Sequence, residues 1–359
     1  MSAGERTALW VVPVADLAGV ARHVLDTFAV RIPGWRLVLL CPPGPLADQV
    51  RAGGGAALTA PIGPAYGLRE SRSSIADAAR TIRPAIVHSH LSYADVAVAL
   101  TRLPRGTSTI STEHGIAADD EVYHSGPLEA AAMARAHQAR LHRLDALVAV
   151  SEATLETVVH KWHPPARLAL QVIRNGVDAP TTPPTRRRGL RICSIARLAP
   201  EKRIPELLLG FAQLLAEEPS ATLTIAGEGP QRTSLEELSD ALGVAPAVTF
   251  LGHADPAVVL AESDVLAQLS VWENCSYSLL DAVAAGLGVV ASVVGGNPEM
   301  LPPTALVADV EPSTIAHAMR RQGLELTARP ALPDHWPNRT EMTASLAQVY
   351  AAARARRAR

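Results

Sequence analysis

Lysine is almost absent from this 359-residue chain: Lys161 and Lys202 are the only two, and arginine supplies nearly all the positive charge. The 33 basic side chains are balanced by 35 acidic ones, for a net charge of −2. That balance predicts neither nucleic-acid binding nor a long disordered tail. Cysteine is scarce as well. Cys41, Cys193 and Cys275 lie far apart without CxxC spacing, which argues against a disulfide framework and reads as reduced thiols in the cytoplasm. Long apolar runs are also missing. The opening MSAGERTALWVVPVA has one basic residue, an apolar run too short for a bilayer, and no signal-peptide layout. It reads as a first buried strand.

What the chain does have is apolar content, 48% over a length that exceeds what one core usually serves, so two domains are expected. Short apolar runs alternate with stretches of helical period. Strands are predicted at Leu9–Val14, Arg36–Cys41, Ala85–His88, Thr107–Ser111, Ala146–Val150 and Leu170–Ile173. Helices fall between them at Val20–Val30, Arg72–Ile82, Leu128–Leu144 and Glu152–Trp162. Such alternation implies parallel βαβ units and a doubly wound sheet. The segment APTTPPTRRRG (Ala179–Gly189), with three prolines, reads as a linker. The alternation then restarts with strands at Leu190–Ala196, Ala221–Ala226, Ala247–Leu251, Val265–Leu269 and Gly288–Val294. Helices at Pro205–Glu217, Leu235–Leu242, Pro256–Glu262 and Tyr277–Ala285 separate them. The expected fold is therefore α/β: two Rossmann-like parallel-sheet domains facing across a cleft, with ligand motifs beyond the carboxyl ends of the strands.

The second half carries the charged motifs. Arg197 and Lys202 share one strand-to-helix loop, where a bidentate guanidinium and a point-charge ammonium would clamp a diphosphate. Two solvated surface charges are the competing reading. Gly227-Glu228-Gly229-Pro230 follows the next strand, as a close backbone approach or an ordinary turn. Ser276 is a natural N-cap for a helix beginning at Tyr277, with Glu273 in the loop before it and Asp281 inside it. The start of that helix offers N–H groups suited to phosphate, and the two acids could hold sugar and ribose on either side. A capped surface helix with incidental acids competes here.

In the first half, one strand ends in His88-Ser89-His90 and another in Glu113-His114-Gly115. Alternation puts both histidines of the H-x-H on one face. They could form a metal pair, but the sequence offers no third ligand at suitable spacing, so no metal site is expected. Histidines satisfied in the core or a loop are the alternative.

Taken in order, these motifs resemble the family-4 glycosyltransferases, retaining enzymes of the GT-B fold. The match comprises R-x4-K (Arg197, Lys202), G-x-G-P (Gly227 to Pro230), F-L-G (Phe250, Leu251, Gly252), E-x7-E and G-G-x-P-E (Gly295, Gly296, Pro298, Glu299). It continues through H-x-H, T-x-H-G, LVAVSEAT with Ser151, VIRNGVD (Asn175 to Asp178) and the glycine loop at Gly19, spanning roughly Ala18 to Leu301. Three positions depart: Asp281 for the second acid, Arg203 where glycine commonly follows the lysine, and Gly288 where proline is usual.

The resemblance implies an acceptor domain over 1–180, a donor domain over 188–336, and a last helix at about 337–357 returning to the first domain. It implies that Arg197 and Lys202 bind the donor diphosphate, that Glu273 contacts the sugar, and that Asp281 contacts the ribose. Gly19, Gly229, Leu251, Tyr277 and Ser278 would complete the donor site, and His90 and His114 would serve the acceptor side as catalytic candidates. No D-x-D metal motif occurs, so cations and helix-start amides would stabilise the leaving diphosphate without a metal or other cofactor. The expected activity is retaining transfer of a hexose-type sugar from a UDP- or GDP-linked donor to a glycan, lipid-linked or small-molecule acceptor. The other readings are a GT-B epimerase and a catalytically weak nucleotide-sugar-binding subunit. The expected location is cytoplasmic. Peripheral membrane contact would come through a basic face on Ala134–Arg143 and the terminal ARARRAR.

Overall fold

A computed structural model describes residues 6–116, 135–180 and 187–357. The chain divides into two compact units, one formed by Met1–Gly176 with Pro337–Arg359 and the other by Val177–Trp336. Each is an α/β layer structure built on one parallel sheet.

In the first unit the strands are β1 (Arg6–Val11), β2 (Trp35–Cys41), β3 (Ala56–Thr59), β4 (Ile86–His90), β5 (Ser108–Glu113), β6 (Ala146–Ala149) and β7 (Ala169–Val172). They pair in the order β3-β2-β1-β4-β5-β6-β7, all parallel. β1 and β2 read as continuous apolar runs because helices cover both faces of a doubly wound sheet. The helices are α1 (Gly19–Val30), α2 (Pro45–Ala52), α3 (Gly67–Ile82), α4 (Ser92–Ala99), α5 (135–141) and α6 (Glu152–Trp162). Ser151 caps α6 by accepting a hydrogen bond from the Thr154 amide at 3.1 Å.

The second unit contains β8 (Arg191–Ile195), β9 (Thr222–Ala226), β10 (Val248–Gly252), β11 (Val265–Gln268), β12 (Gly288–Ser292) and β13 (Leu306–Val307). Their order is β10-β9-β8-β11-β12-β13, again parallel throughout. Its helices are α7 (Ile204–Glu217), α8 (Arg232–Ala241), α9 (Pro256–Ala261), α10 (Tyr277–Ala284), α11 (Asn297–Met300) and α12 (Pro312–Leu324). Phe211, Leu208, Leu223, Val265 and Met319 are among the residues that fill its core.

The chain then returns to the first unit as α13 (Arg339–Arg357). Met342, Leu346, Val349, Tyr350 and Ala353 recur at helical spacing and are all buried in one cluster with Trp10, Val24, Leu39 and Ile110. β3, β13, α2, α11 and α12 lie outside the sequence expectation, whereas α4 takes up the helical pattern that the sequence shows after His90. β3 and β13 are edge strands, half exposed and short, so they form no apolar run that a pattern could detect. The predicted helix Leu128–Leu144 lies partly outside the described residues, as do 181–186 of the proline-rich segment.

Candidate active site

Each strand order reverses once, between β1 and β4 in the first sheet and between β8 and β11 in the second. Loops leaving the carboxyl ends of such neighbouring strands splay apart and leave a crevice, the usual ligand position in open α/β sheets. The charged motifs of the second unit assemble there.

Lys202, after β8, meets Glu273, after β11, with Nζ donating to Oε1 at 2.5 Å. Both side chains are mostly buried, 18% and 11% exposed, so this pair is far less screened than a surface ion pair. Glu273 Oε1 also accepts from Gln268 Nε2 and from Ser270 Oγ, each at 2.8 Å. Ser276 Oγ in turn donates to Gln268 Oε1 at 2.9 Å and accepts from the Leu279 amide as the N-cap of α10. One network therefore ties the lysine, the carboxylate and the start of α10. Gln268, Ser270 and the 5.7 Å approach of Lys202 Nζ to the Trp272 ring were not singled out from the sequence. A glutamine ending the otherwise apolar run of β11 was the available signal.

Arg197 lies in the same loop but is 68% exposed and reaches Glu201 at 2.5 Å. Tyr277 is buried and Ser278 half-buried at the first turn of α10, where the helix dipole is positive. Asp281 is half-buried one turn further on. Backbone contacts hold the neighbouring loops: the Leu198 amide donates to the Glu228 carbonyl at 2.9 Å, and the Val271 amide donates to the Glu201 carbonyl at 2.8 Å. Gly229 sits so close to this loop that a Cβ would lie 2.3 Å from the Leu198 carbonyl oxygen. Leu251, at the end of β10, is 48% exposed.

The structure bears on two of the three departures. Arg203 adopts φ +51°, the left-handed region in which glycine is at ease, and it forms the N-cap of α7. Gly288 donates its N–H to the Asp264 carbonyl at 2.9 Å, a bond that proline could not make. Nothing in the structure explains aspartate at position 281.

In the first unit, His88 and His90 of β4 and His114 just after β5 gather with a residue the sequence reading did not include, His23 of α1. His88 is locked into the core, with Nδ1 2.7 Å from Tyr350 Oη and Nε2 2.8 Å from Thr112 Oγ1. His90 is fully buried, and its Nδ1 lies 2.8 Å from His114 Nε2, so one ring nitrogen donates and the other accepts. His114 is half-buried. His23 Nδ1 reaches Asn175 Oδ1 at 3.3 Å. Burial lowers His23 to about 4, outweighing the hydrogen bond to Asn175, which raises it. Burial, reinforced by the neighbouring imidazoles, holds His90 and His114 well below 6.5. Both imidazoles are therefore held toward the neutral form. The third histidine that sequence spacing did not provide is supplied by α1. Gly19, the first residue of α1, is exposed with open space around it.

The stretch expected to present a basic face does so only in part. Arg140 is 1% exposed, donates to Glu113 Oε2 at 2.7 Å, also pairs with Asp95, and stacks over Trp162 at 4.6 Å. Burial raises the Glu113 carboxyl to about 8, while Arg140 pairs with both it and Asp95. The arginine-rich end is likewise engaged, with Arg357 on Asp145 at 3.0 Å and Arg354 on the Gly106 carbonyl. Among the described residues no helix is long and apolar enough to cross a membrane.

Two parallel-sheet units with this charge cluster at one switch point define a GT-B glycosyltransferase. The sequence matches the model of Glycosyltransferase Family 4 over residues 18–180 and that of Glycosyl transferases group 1 over residues 184–322. The chain belongs to the family-4 glycosyltransferases, enzymes that use nucleotide sugars. It is 29% identical over 325 residues to glycogen synthase of Mycobacterium tuberculosis, covering 80% of this chain and 77% of that one. It is also 29% identical over 245 residues to a human phosphatidylinositol N-acetylglucosaminyltransferase chain, covering 64% of this protein and 48% of that one. The fold is similar to that of Anabaena HepE in complex with UDP and glucose, with TM-score 0.75, 17% identity, and coverage of 97% and 95%.

Proposed function

We propose that the chain is a retaining, metal-independent hexosyltransferase that takes its sugar from a UDP- or GDP-linked donor. The observation that carries this reading is the Lys202–Glu273 contact across the switch point of the second sheet. An ammonium has three donors, so one bond to Glu273 leaves two for phosphate oxygens. As the nucleoside diphosphate departs, negative charge grows on its outer phosphate. Lys202, Arg197 and the first-turn amides of α10 would stabilise that charge, and no metal is needed in this scheme. Glu273, held by Gln268 and Ser270, would face the sugar, and Asp281 the ribose. The exposed Leu251 side chain offers an apolar surface for the base. Retention is supported by the family resemblance.

The acceptor is proposed to be a glycan, a lipid-linked sugar or a small molecule, served by His114 and backed by His90. The similarity to a glycogen synthase and to a phosphatidylinositol glycosyltransferase chain supports a place in polysaccharide or glycolipid synthesis. Peripheral membrane contact has weaker support, since Arg140 faces the core.

The test is nucleotide release measured in EDTA. Lys202→Ala is expected to slow it by ~10²–10³, the usual loss for one preorganised charge-stabilising donor. Near-normal turnover in that variant would sink the assignment. Thermal shifts with UDP, GDP and ADP identify the base, since a ligand at 100 times its Kd adds about 2.7 kcal/mol.

A further inference from the structure

We infer that His23, His90 and His114 form a binding site for a borderline transition-metal ion, with zinc the best match. Each ring offers one nitrogen, and the three nitrogens lie within 4.8 Å of one another. The His90–His114 pair stands at 2.8 Å. Nitrogens around a tetrahedral zinc, each about 2.0–2.1 Å from the metal, sit about 3.3 Å apart. That value lies between the 2.8 Å of the His90–His114 pair and the 4.8 Å limit on all three, so small side-chain rotations would close the site.

The three ligands come from separate elements, α1, the end of β4 and the residue after β5, so the sheet and helix that carry them fix their positions beforehand. Their ring centroids stand 4.9–5.7 Å apart. Asn175 Oδ1 accepts from His23 Nδ1, which places that ring's lone pair on Nε2, the arrangement a metal-bound imidazole usually has. His90 would bind through Nδ1, which faces His114 Nε2 at 2.8 Å. His114, half-buried, leaves a way in and a fourth position for water. An all-imidazole set selects Zn²⁺, Co²⁺, Ni²⁺ or Cu²⁺ over Mg²⁺, Ca²⁺ or Mn²⁺, which prefer oxygen ligands. Its all-imidazole ligand set differs in chemistry from the diphosphate clamp proposed in the second unit. Bound metal would engage the His114 nitrogen and suppress transfer. That consequence alone rests on reading His114 as an acceptor-side residue.

The experiment is titration of the metal-stripped, untagged full chain with Co²⁺, followed by Zn²⁺ competition. One equivalent of Co²⁺ is expected to give the intense visible band of four-coordinate cobalt, discharged by Zn²⁺ and unaffected by Mg²⁺. His23→Gln is expected to lose that equivalent, although nine of the 12 histidines in the chain are untouched by the proposal. Asn175→Ala should weaken Zn²⁺ binding roughly 10–100-fold, as loss of an orienting partner does. Only the pale spectrum of six-coordinate cobalt, or unchanged affinity in His23→Gln, would overturn the site. Should His23→Gln fail to fold, His114→Gln, at a half-buried position, provides the same comparison. Metal binding with no change in nucleotide release would leave the site standing and remove only the inhibitory role.

Discussion

Trp10 Nε1 donates to Tyr350 Oη at 2.7 Å across 340 positions of sequence, joining the first strand to the last helix inside one core. The indole is a donor only, so the phenol oxygen accepts and its own proton goes to His88 Nδ1, 2.7 Å away. Neutral His88 then carries its proton on Nε2 and donates to Thr112 Oγ1 at 2.8 Å. The protonation of a buried histidine is in this way set by a residue of α13.

Tyr350→Phe removes one oxygen and strands two buried groups, the Trp10 N–H and His88 Nδ1. Each unsatisfied group costs about 1–3 kcal/mol, so urea unfolding should show a loss in that range or above it. A stability within about 0.5 kcal/mol of the parent, the ordinary scatter of near-neutral substitutions, would mean that the chain of bonds contributes little.

Gly295 holds φ +49°, and a Cβ there would lie 1.6 Å from the Glu273 carbonyl oxygen. Gly295→Ala should therefore push the Glu273 loop outward. Misplacement of a positioned group by about 1 Å can cost roughly 10²-fold, and a similar drop in transfer is expected. Gly34→Ala is the control, because Gly34 has φ +77° with nothing within 4 Å of its would-be Cβ. It should lose stability without losing activity, and equal activity in the two variants would contradict the packing argument.

Arg203, next to Lys202, carries the strain of a left-handed backbone. Arg203→Gly should raise stability by up to about 1 kcal/mol, less than the full left-handed penalty because glycine gains freedom in the unfolded chain. Thermal unfolding measures this directly, and a lowered midpoint would show that the arginine side chain stabilises more than its backbone costs.

Burial raises the Cys41 thiol to about 11, the Cys193 thiol to about 12, and the Tyr350 hydroxyl above its usual range. Folded protein keeps these protons at a pH where the unfolded chain has released them. The unfolded state then binds fewer protons, so stability is full below the ordinary thiol value of 9.0 and declines as pH rises through 9.0 toward about 11. Denaturation midpoints at the two ends of that window should differ, and the buried thiols should react with a thiol reagent only after unfolding.

The cluster around Lys202 and Glu273 has parts that are local in sequence. Apolar strands, loop cations and a capped helix each lie within one short segment, and strand order brings the segments together. Gly288 departs from the family pattern because of a backbone hydrogen bond to Asp264 that only coordinates display, and Arg203 departs from it against its own backbone conformation. His23 was missed because its partners belong to strands far along the chain. Its position among Ala21, Val24 and Thr27, all buried in α1, was a usable hint. Arg140 was read as surface charge because its counterions, Asp95 and Glu113, come from α4 and β5. Long-range pairing of this kind leaves no periodic trace.

The division of the first unit between both sides of the second has a consequence for biosynthesis. Domains generally acquire structure in the order in which they leave the ribosome. Here β8 to β13 have emerged, and can fold, before α13 exists to fill the space beside Trp10, Val24 and Leu39. The unit encoded first is therefore the one completed last, and a nascent chain stalled before Arg339 would expose an unfinished apolar core to chaperones.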